Sequence, residues 1–578
     1  MREPKIRRGF GLAALGVATA TALATGCATI PTESPVVASS PGADDGSSEV
    51  RIEVRPPQPG ATPTQIVEGF LDAMSSYAPG FPLAEEFLMP DARAGWVRSA
   101  IEVYNRTTLD QPEPSSAAFP DATQASVRLA GERAARIDAE GRFTAVAPGS
   151  EPLEYVLRLE RDPAGEWRID NPPDFLLISS FDLSRTYSPF STYFPNPEGT
   201  VLVPDQIWLP AGEPQLATLL AQALVDGPTD LIGPAGVGNA FPTDTLVGRT
   251  VLSGGTLTVP LSGPAVSDTD GAARRLMVAQ LAETLFPLPG IDRVSVTIDG
   301  EAIDVPDDSS QLSALAGFAD PPVYVLADDD VVRSADPTQR SGLAEVPGVL
   351  GRGELASRSL AVSLDRTTAA TVDETGTQVL RTPLTEEGQP VRVFQGEDIV
   401  GPSFDRYGNL WLVDRRSAGG PSSDIRMVQP DGAVVAVAAP DLVGARVTDL
   451  KIAADGVRVA VVTEGAAVLR VGHVVRGAAP AIDLTVNLAV EGTVVDVAWA
   501  GERELLVVVA PPGGPPRPYS VSVDGSAVTE GSVTGTTSVA AYPSRPAFAL
   551  TDVRTVLRQT SVLQWDQVTT GKAVTYPG

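Results

Sequence analysis

A unit of 40 to 48 residues recurs along the second half of the chain, and this period limits the folds open to it. Five aligned motifs each precede a short strand, at intervals of 40, 48, 45 and 42 residues. The intervals are measured between equivalent positions of successive motifs, which are Leu364, Phe404, Ile452, Val497 and Val539. Such a period is typical of propeller blades, since one blade cannot bury both of its faces alone. Residues 320–578 are therefore predicted to form an all-β propeller of about six blades. A pair of β-sandwiches is the competing fold, but such a fold does not require a unit that recurs every 40 to 48 residues.

The charge of the chain argues against nucleic acid as a partner. There are 43 Lys and Arg residues against 72 Asp and Glu residues, which gives a formal net charge of −29. Contact with a phosphate backbone needs a basic face. We therefore expect no nucleic-acid binding.

The first 26 residues have the composition of a secretory signal. Four basic residues within positions 1–8 precede an uncharged run from Gly9 to Ala24, which is too short for a transmembrane helix. The run ends in Leu23-Ala24-Thr25-Gly26-Cys27, which resembles a bacterial lipobox although Ala24 stands where leucine is usual. The resemblance implies that Cys27 is acylated and becomes the first residue of the mature protein. An ordinary signal peptide with an incidental cysteine is the alternative.

Residues 27–60 are predicted to be a flexible tether, because they are rich in Pro, Ser, Gly and acidic residues. Acyl chains on Cys27 would hold the protein on the extracytoplasmic face of the cell membrane, and stable anchoring needs more than one chain. We expect no contact with the membrane other than through this lipid, because the acidic body is repelled by anionic head groups.

Cysteine and histidine counts exclude several chemistries. The sequence has one Cys, Cys27, and one His, His473. A disulfide within the chain and a Cys/His zinc site are therefore impossible. His473 lies in a segment that reads as a strand, where we expect a partly exposed side chain. Catalysis by carboxyl groups remains possible, because the chain has 72 acidic residues and residue counts cannot exclude it.

Two folded regions are predicted before the propeller. In residues 61–182, Thr62-Pro63 reads as the start of an amphipathic helix, and period-two segments follow, which indicates an α+β domain. In residues 185–305, strands and helices alternate. The Tyr193-Phe194 strand, the helix ending in Gly227-Pro228-Thr229 and the Leu261-Ser262 strand resemble the GerMN domain. That resemblance implies an α/β, noncatalytic module of secreted envelope proteins.

Three short motifs favour structural roles. Gly351 to Ala356 matches G-x-G-x-x-A, but it leads into a strand rather than a helix, so we interpret it as a chance match. Asp328-Asp329-Asp330 reads as a solvated hairpin turn rather than a cation site. The Asp365-Arg366 and Asp405-Arg406 pairs recur in the repeat and favour structural turns over a ligand site.

Taken together, a lipobox, an α+β domain, a GerMN domain and a C-terminal propeller resemble the LpqB lipoproteins of actinobacteria over essentially the whole chain. This resemblance implies an accessory of the MtrAB two-component system that contacts the extracellular part of the sensor histidine kinase MtrB. Signalling in cell-envelope homeostasis and cell division would be modulated by that contact. The resemblance implies no catalytic residue, no cofactor and no metal site. Cys27 is the one residue to which it assigns a function.

Two other functions stay open. One is a lipoprotein that binds the cell wall or a small ligand. The other is an envelope glycan hydrolase, which would need two carboxyl groups about 5–10 Å apart. No motif supports a hydrolase, and the presence of a single histidine disfavours base chemistry near neutral pH.

Overall fold

The computed structural model describes residues 54–110, 113–114, 122–147, 149–303, 312, 318, 320–339, 342–416, 422–561 and 563–578. The predicted signal peptide, Cys27 and residues 27–53 of the predicted tether lie outside these ranges. Val54–Gly578 form one compact unit. Across the described ranges, every helix is too short or too polar to cross a bilayer.

The first helix, α1 (Pro63–Ser75), begins where the sequence predicts. The Thr62 side chain accepts a hydrogen bond from the Gln65 backbone, and the Gln65 side chain accepts one from the Thr62 backbone, which forms a capping box. Its apolar face is buried and consists of Ile66, Val67, Phe70, Leu71, Ala73 and Met74. Local capping and periodicity are therefore enough to specify this helix.

The first region is α+β, as expected. Its other helices are α2 (Pro82–Glu85), α3 (Pro90–Gly95) and α4 (Ser180–Thr186). Its strands are β1 (Ile101–Tyr104), β2 (Glu113–Pro114), β3 (Gln124–Ile137), β4 (Phe143–Ala145), β5 (Pro152–Arg161), β6 (Trp167–Ile169) and β7 (Leu176–Ser179). They form one sheet in the order β6-β5-β3-β1-β7, with β2 and β4 also paired to β3. The β1–β7 pair is parallel, and the others are antiparallel.

The central region mixes helices and strands, as expected. Its helices are α5 (Leu216–Asp226), α6 (Pro264–Ser267) and α7 (Gly271–Leu285). Its strands are β8 (Tyr187–Pro195), β9 (Leu202–Pro210), β10 (Leu246–Val247), β11 (Val251–Ser253), β12 (Thr256–Ser262), β13 (Arg293–Ile298) and β14 (Glu301–Ala302). β8 and β9 form a separate hairpin, and the others form a sheet in the order β10-β12-β13-β14 with β11 beside β12.

The Gly-Pro-Thr segment after α5 has a structural purpose. Gly227 adopts φ 107°, which favours glycine. Thr229 then donates its backbone N–H and its hydroxyl to the two carboxylate oxygens of Asp205, at 2.6 and 2.9 Å. Burial raises the pKa of Asp205 to about 6, and the hydrogen bonds from Thr229 oppose that rise. The segment therefore fixes the end of α5 against β9.

The last region contains six four-stranded sheets within the described residues. Blade 1 holds β15 (Val323–Leu326), β16 (Val332–Ala335), β17 (Ala344–Glu345) and β38 (Ala573–Thr575). Blade 2 holds β18 (Ser357–Val362), β19 (Thr368–Asp373), β20 (Gln378–Pro383) and β21 (Val391–Gln395). Blade 3 holds β22 (Ser403–Phe404), β23 (Leu410–Arg416), β24 (Ser422–Val428) and β25 (Val434–Val437). Blade 4 holds β26 (Val447–Ile452), β27 (Arg458–Thr463), β28 (Val468–Val475) and β29 (Ala481–Ala489). Blade 5 holds β30 (Thr493–Trp499), β31 (Glu504–Ala510), β32 (Arg517–Ser522) and β33 (Val528–Glu530). Blade 6 holds β34 (Thr536–Ala540), β35 (Phe548–Thr551), β36 (Thr555–Ser561) and β37 (Gln564–Thr570).

The predicted six-bladed propeller is thus confirmed, and the chain closes it with its last strand. β38 pairs with β15, so residues from the two ends of the region share blade 1. The inner strands β18, β22, β26, β30, β34 and β38 contact one another in sequence around a ring. Closure of this kind leaves no open seam between the first and last blades.

Part of the predicted repeat register is displaced by two residues. The inner strand of each blade ends its pairing with the second strand at an equivalent residue. In blades 2, 3, 4 and 5 this residue is Val362, Phe404, Ile452 and Trp499, respectively. The expected equivalents Leu364 and Val497 are therefore wrong by two residues, and the intervals between the four observed residues are 42, 48 and 47. In blade 6 the corresponding residue is Ala540, so the expected Val539 is wrong by one residue. A slip of two residues keeps every side chain on the same face of a strand, so the apolar pattern cannot reveal it.

Trp208, in β9, joins all three regions. Its ring stacks on Phe143 of the first region, with centroids 4.8 Å apart, and its Nε1 donates to Asp524 of blade 5 at 2.9 Å. The Tyr193 hydroxyl also donates to Glu502 of blade 5 at 2.5 Å. One apolar cluster runs from the central sheet into blades 4 and 5. The three regions are therefore held together by buried contacts.

Candidate functional site

The inner strands of the propeller enclose a cavity of about 390 Å³. A β-bulge interrupts four of these strands near their first residues, at Arg358, Thr448, Val495 and Thr537. Bulges re-aim the side chains that follow them. This cavity, with its lining side chains, is the central channel.

Two aspartates follow these bulges on adjacent blades. Asp449 accepts a hydrogen bond from the Val497 backbone at 3.2 Å, and Asp496 accepts one from the Val539 backbone at 2.7 Å. Each carboxyl group thus connects its own blade to the next. In blade 3, the Ser403 hydroxyl accepts from the Ile452 backbone at 3.3 Å. The inner ring therefore uses side-chain acceptors to join blades 3, 4, 5 and 6.

The two carboxyl groups and Lys451 form one electrostatic cluster. Asp449 and Asp496 are hydrogen-bonded to each other, and Lys451 Nζ lies 3.0 Å from Asp449 Oδ1. Burial, followed by the charge of Asp449, raises the pKa of Asp496 well above its ordinary value, and Lys451 opposes that rise. Burial alone would lower the pKa of Lys451, but the charges of Asp449 and Asp496 outweigh it and raise the pKa. Asp496 therefore binds a proton more readily than an ordinary carboxyl group does, beside the Lys451 ammonium.

Replacing Asp496 with asparagine should change how stability depends on pH. An acid with a raised pKa binds more protons when folded than when unfolded, so its stabilising contribution is lost as pH rises towards that pKa. The asparagine side chain would not titrate. We expect Asp496→Asn to gain stability relative to the wild type as pH rises, by up to about 1.4 kcal/mol per pH unit. Urea unfolding across pH measures this, with the exposed Asp91→Asn as control. Parallel pH curves for Asp496→Asn and wild type would refute the raised pKa of Asp496.

A second charged cluster lies around Asp398, beside the channel. Its carboxylate lies 3.1 Å from Arg358, 2.7 Å from Arg415 and 3.0 Å from Arg446. Burial alone would raise the pKa of Asp398, but hydrogen bonds from Arg415 and Arg358 outweigh it and lower the pKa. These three arginines come from separate blades, so this cluster also joins neighbouring blades.

His473 lies in β28, as the sequence indicates, but the expected partial exposure is wrong. The side chain is 1% exposed, because a short turn of the central region, Gly233–Ala235, packs against β28. Neither ring nitrogen makes a well-formed hydrogen bond to the described residues. Burial lowers the pKa of His473, while the Leu231 carbonyl and the Asp483 carboxylate oppose the shift. Burial between two regions makes His473 a structural residue.

This burial predicts loss of stability in mild acid. Folded His473 resists protonation, whereas the unfolded side chain has a pKa near 6.5, so stability falls as pH drops below about 6.5. Arg458 lies opposite His473 in the strand register and is paired with Asp455, while Asp483, on the other neighbouring strand, moderates the effect. Between about pH 6.5 and 5, the urea midpoint of His473→Gln should fall less than that of the wild-type protein. The prediction fails if both proteins lose stability equally over that window.

The short motifs singled out in the sequence lie in turns. Asp405 caps the turn between β22 and β23, and Asp365 accepts from Thr367 in the turn between β18 and β19. Asp329 and its neighbours form the β15–β16 hairpin turn, where each carboxylate has a basic partner. The glycine motif from Gly351 to Ala356 precedes β18 and opens no helix. These positions therefore serve the fold.

The channel cluster was not predicted from the sequence. Asp449 and Asp496 occupy equivalent positions in two repeats, which is a signal that a correct register would have revealed. The corresponding positions of blades 2 and 6 are Ser359 and Ser538. Within the described part of the chain, no group of three His, Cys, Asp or Glu side chains is placed to hold a metal ion.

Comparison with known proteins accounts for all three regions. Residues 56–184 match the model of the Lipoprotein LpqB N-terminal domain, and residues 329–577 match that of the Lipoprotein LpqB beta-propeller domain. Residues 191–304 match the Germane model, described as sporulation and spore germination. Lipoprotein LpqB of Thermobifida fusca is 31% identical, over 98% of this chain and 99% of the relative. The chain belongs to the LpqB lipoprotein family.

Other LpqB proteins are similar over most of the chain. Lipoprotein LpqB of Streptomyces coelicolor is 31% identical over 96% of both chains, and that of Streptomyces avermitilis is 30% identical over 99% of both. The predicted family, the GerMN module and the propeller are thereby confirmed. Relatives named as lipoproteins also support anchoring to a membrane. Cys27 remains a prediction, since it lies outside the described residues.

Proposed function

We propose that this LpqB protein is anchored through acylated Cys27 on the extracytoplasmic face of the cell membrane. There it binds the ectodomain of an MtrB-like sensor histidine kinase and modulates signalling in envelope homeostasis and cell division. The observation that carries the proposal is the match to LpqB lipoproteins along nearly the whole chain. It is supported by an architecture of modules suited to binding.

Rigid connection of the modules supports a regulatory mechanism. Contacts such as Trp208 with Phe143 and Asp524 hold the three regions in one unit. A rigid surface can favour one conformation of its partner, and that difference in affinity shifts the partner's equilibrium. Lipid anchoring raises the effective concentration of such a surface near a membrane-bound kinase. A modest intrinsic affinity is then sufficient.

We infer that the protein acts by binding rather than by catalysis. A two-carboxyl glycosidase separates its acids by roughly 5 Å or more, whereas Asp449 and Asp496 share a hydrogen bond. The one histidine is buried between regions. The carboxyl pair therefore lacks the spacing for glycan hydrolysis. Incubating the purified protein with cell-wall glycans and finding turnover would contradict this inference.

Crosslinking in intact cells tests the kinase proposal. We expect the kinase ectodomain to crosslink to the wild-type protein, and to do so several-fold less with Cys27→Ala, because the effective concentration falls. The purified, rigid 54–578 unit should still bind the isolated ectodomain, since its surface is unchanged. A lipid-anchored protein of unrelated fold provides the control. Enrichment no greater than that control, in cells and with purified proteins, would refute kinase binding.

A second candidate function, binding of a small ligand, is favoured by the channel itself. A cavity of about 390 Å³ lies within the range of roughly 300–1,000 Å³ found for ligand sites. Ligand binding and kinase binding are compatible, because the channel is inside the propeller whereas a partner protein would use an outer surface.

A further inference from the structure

Every basic side chain that lines the central channel is paired with a carboxylate. Among the described residues, four basic side chains line the channel, and so do four acidic ones. The basic side chains are Arg358, Lys451, Arg458 and Lys572. Each of them contacts a carboxylate: Arg358 pairs with Asp398, Lys451 with Asp449, Arg458 with Asp455, and Lys572 with Asp330 and Glu374. No basic side chain among the described residues of the channel is therefore free to bind an anion.

Hydrogen-bonding groups nevertheless surround the cavity. Lys451 is 27% exposed although protein encloses it, so its exposed surface faces the channel. Its ammonium carries three donors, and Asp449 is the one hydrogen-bond acceptor assigned to it among the described residues. Asp496 is also partly accessible from the channel. Ser538, which is partly exposed, adds a hydroxyl group to the wall of the cavity.

Aromatic side chains supply the less polar part of the wall. Trp499, Tyr542 and Tyr576 line the cavity, and the rings of the two tyrosines lie 5.8 Å apart. Their own polar atoms are already bonded to backbone carbonyls: Trp499 to Lys451, Tyr542 to Phe318 and Tyr576 to Pro546. These residues therefore offer aromatic carbon to a ligand rather than free donors. A wall of donors, acceptors and aromatic carbon suits a ligand that has hydroxyl groups and C–H surfaces.

We propose that the central channel binds a neutral, polyhydroxylated ligand of the size of a mono- or disaccharide, with Lys451, Asp496 and Ser538 forming its hydrogen bonds. An anionic ligand would find no unpaired basic side chain among the described residues of the channel, and a cationic ligand would lie beside the Lys451 ammonium, so a charge of either sign is unfavourable there. Sugar hydroxyls donate to carboxyl oxygens and accept from an ammonium, so they satisfy both kinds of group without adding charge. The inference stands apart from kinase binding, since it concerns the interior of the propeller.

Glucose and analogues of similar shape but different charge test the proposal. Calorimetry with the full chain would compare glucose and N-acetylglucosamine with cationic glucosamine and anionic glucose 6-phosphate. We expect at least one neutral sugar to bind with a dissociation constant in the millimolar range or below, and tighter than both charged analogues. Failure of both neutral sugars to bind at about 20 mM, or tighter binding of a charged analogue, would overturn the proposal.

Variants assign the binding to the channel. Lys451→Met should weaken sugar binding about 10-fold or more, because a hydrogen bond from a charged donor is lost. Ser538→Ala, a small change that removes one hydroxyl, should weaken it about 3-fold or more. Arg352→Met, at an exposed pair with Glu354, should leave binding unchanged. Thermal unfolding verifies that each variant is folded. Unchanged sugar affinity in folded Ser538→Ala and Lys451→Met would place the sugar elsewhere and refute the channel site.

Discussion

Substitution of Cys27 by alanine is expected to remove nearly all of the protein from the membrane fraction. The sequence has one cysteine, so no other thiol can accept the acyl chains. A single acyl chain binds membranes only reversibly, and a chain-free, strongly acidic protein has still less affinity for anionic head groups. Membrane-bound protein should fall by more than about 10-fold. Fractionation of cells labelled with radioactive palmitate measures both the acylation and the location.

Ser39→Ala, in the predicted tether, is the matched control and should retain both the label and the membrane location. Mass spectrometry of the mature wild-type protein should find an acylated Cys27 at its amino terminus. If Cys27→Ala remains in the membrane fraction to the same extent as the control, the lipid anchor is wrong and the effective-concentration argument fails with it.

Substitution of Asp405 by alanine is expected to lower the free energy of unfolding by about 3–5 kcal/mol. Asp405 is 1% exposed and accepts hydrogen bonds from Trp411 at 3.0 Å and from the Asn409 side chain at 2.9 Å. Arg476 lies 3.0 Å from its carboxylate. Without Asp405, a largely buried guanidinium loses its counter-charge and several donors lose their acceptor. Urea unfolding followed by tryptophan fluorescence measures the loss.

Asp365→Ala is the matched control, because the sequence shows the same Asp-Arg pair there while the side chain is exposed. Its loss should be about 1 kcal/mol or less. Asp405→Asn should fall between the two, since it keeps an acceptor but leaves Arg476 without a negative partner. Equal destabilisation by Asp405→Ala and Asp365→Ala would show that burial of the charge network is not what makes Asp405 important.

These two aspartates show where sequence reasoning works. Both were interpreted as turn residues from their recurrence, and both lie in turns between the first two strands of a blade. They do not hold the same turn position: Asp405 is the first residue of its turn, whereas Ser363 begins the corresponding turn in blade 2. The sequence therefore identifies the kind of structure, while the two-residue ambiguity of strands hides the register.

Local chemistry explains the other successful predictions. The start of α1 is specified by Thr62, Pro63 and Gln65, which are close together in the chain. The helix before Gly227 ends close to the predicted position because glycine readily adopts a positive φ. The propeller was recognisable because a short motif recurs every 40 to 48 residues. Helix caps and recurring motifs each span few residues, so the sequence displays them directly.

What the sequence by itself determined is the order of modules, the propeller with about six blades and the helices fixed by their caps. The tertiary structure alone decided which distant residues meet. The pKa of Asp496 is raised by burial and by Asp449, because adjacent blades bring together positions that are far apart in the chain. His473 is buried because a turn of the central region covers it. Desolvation and charge pairing depend on such long-range contacts, and no local pattern of residues encodes them.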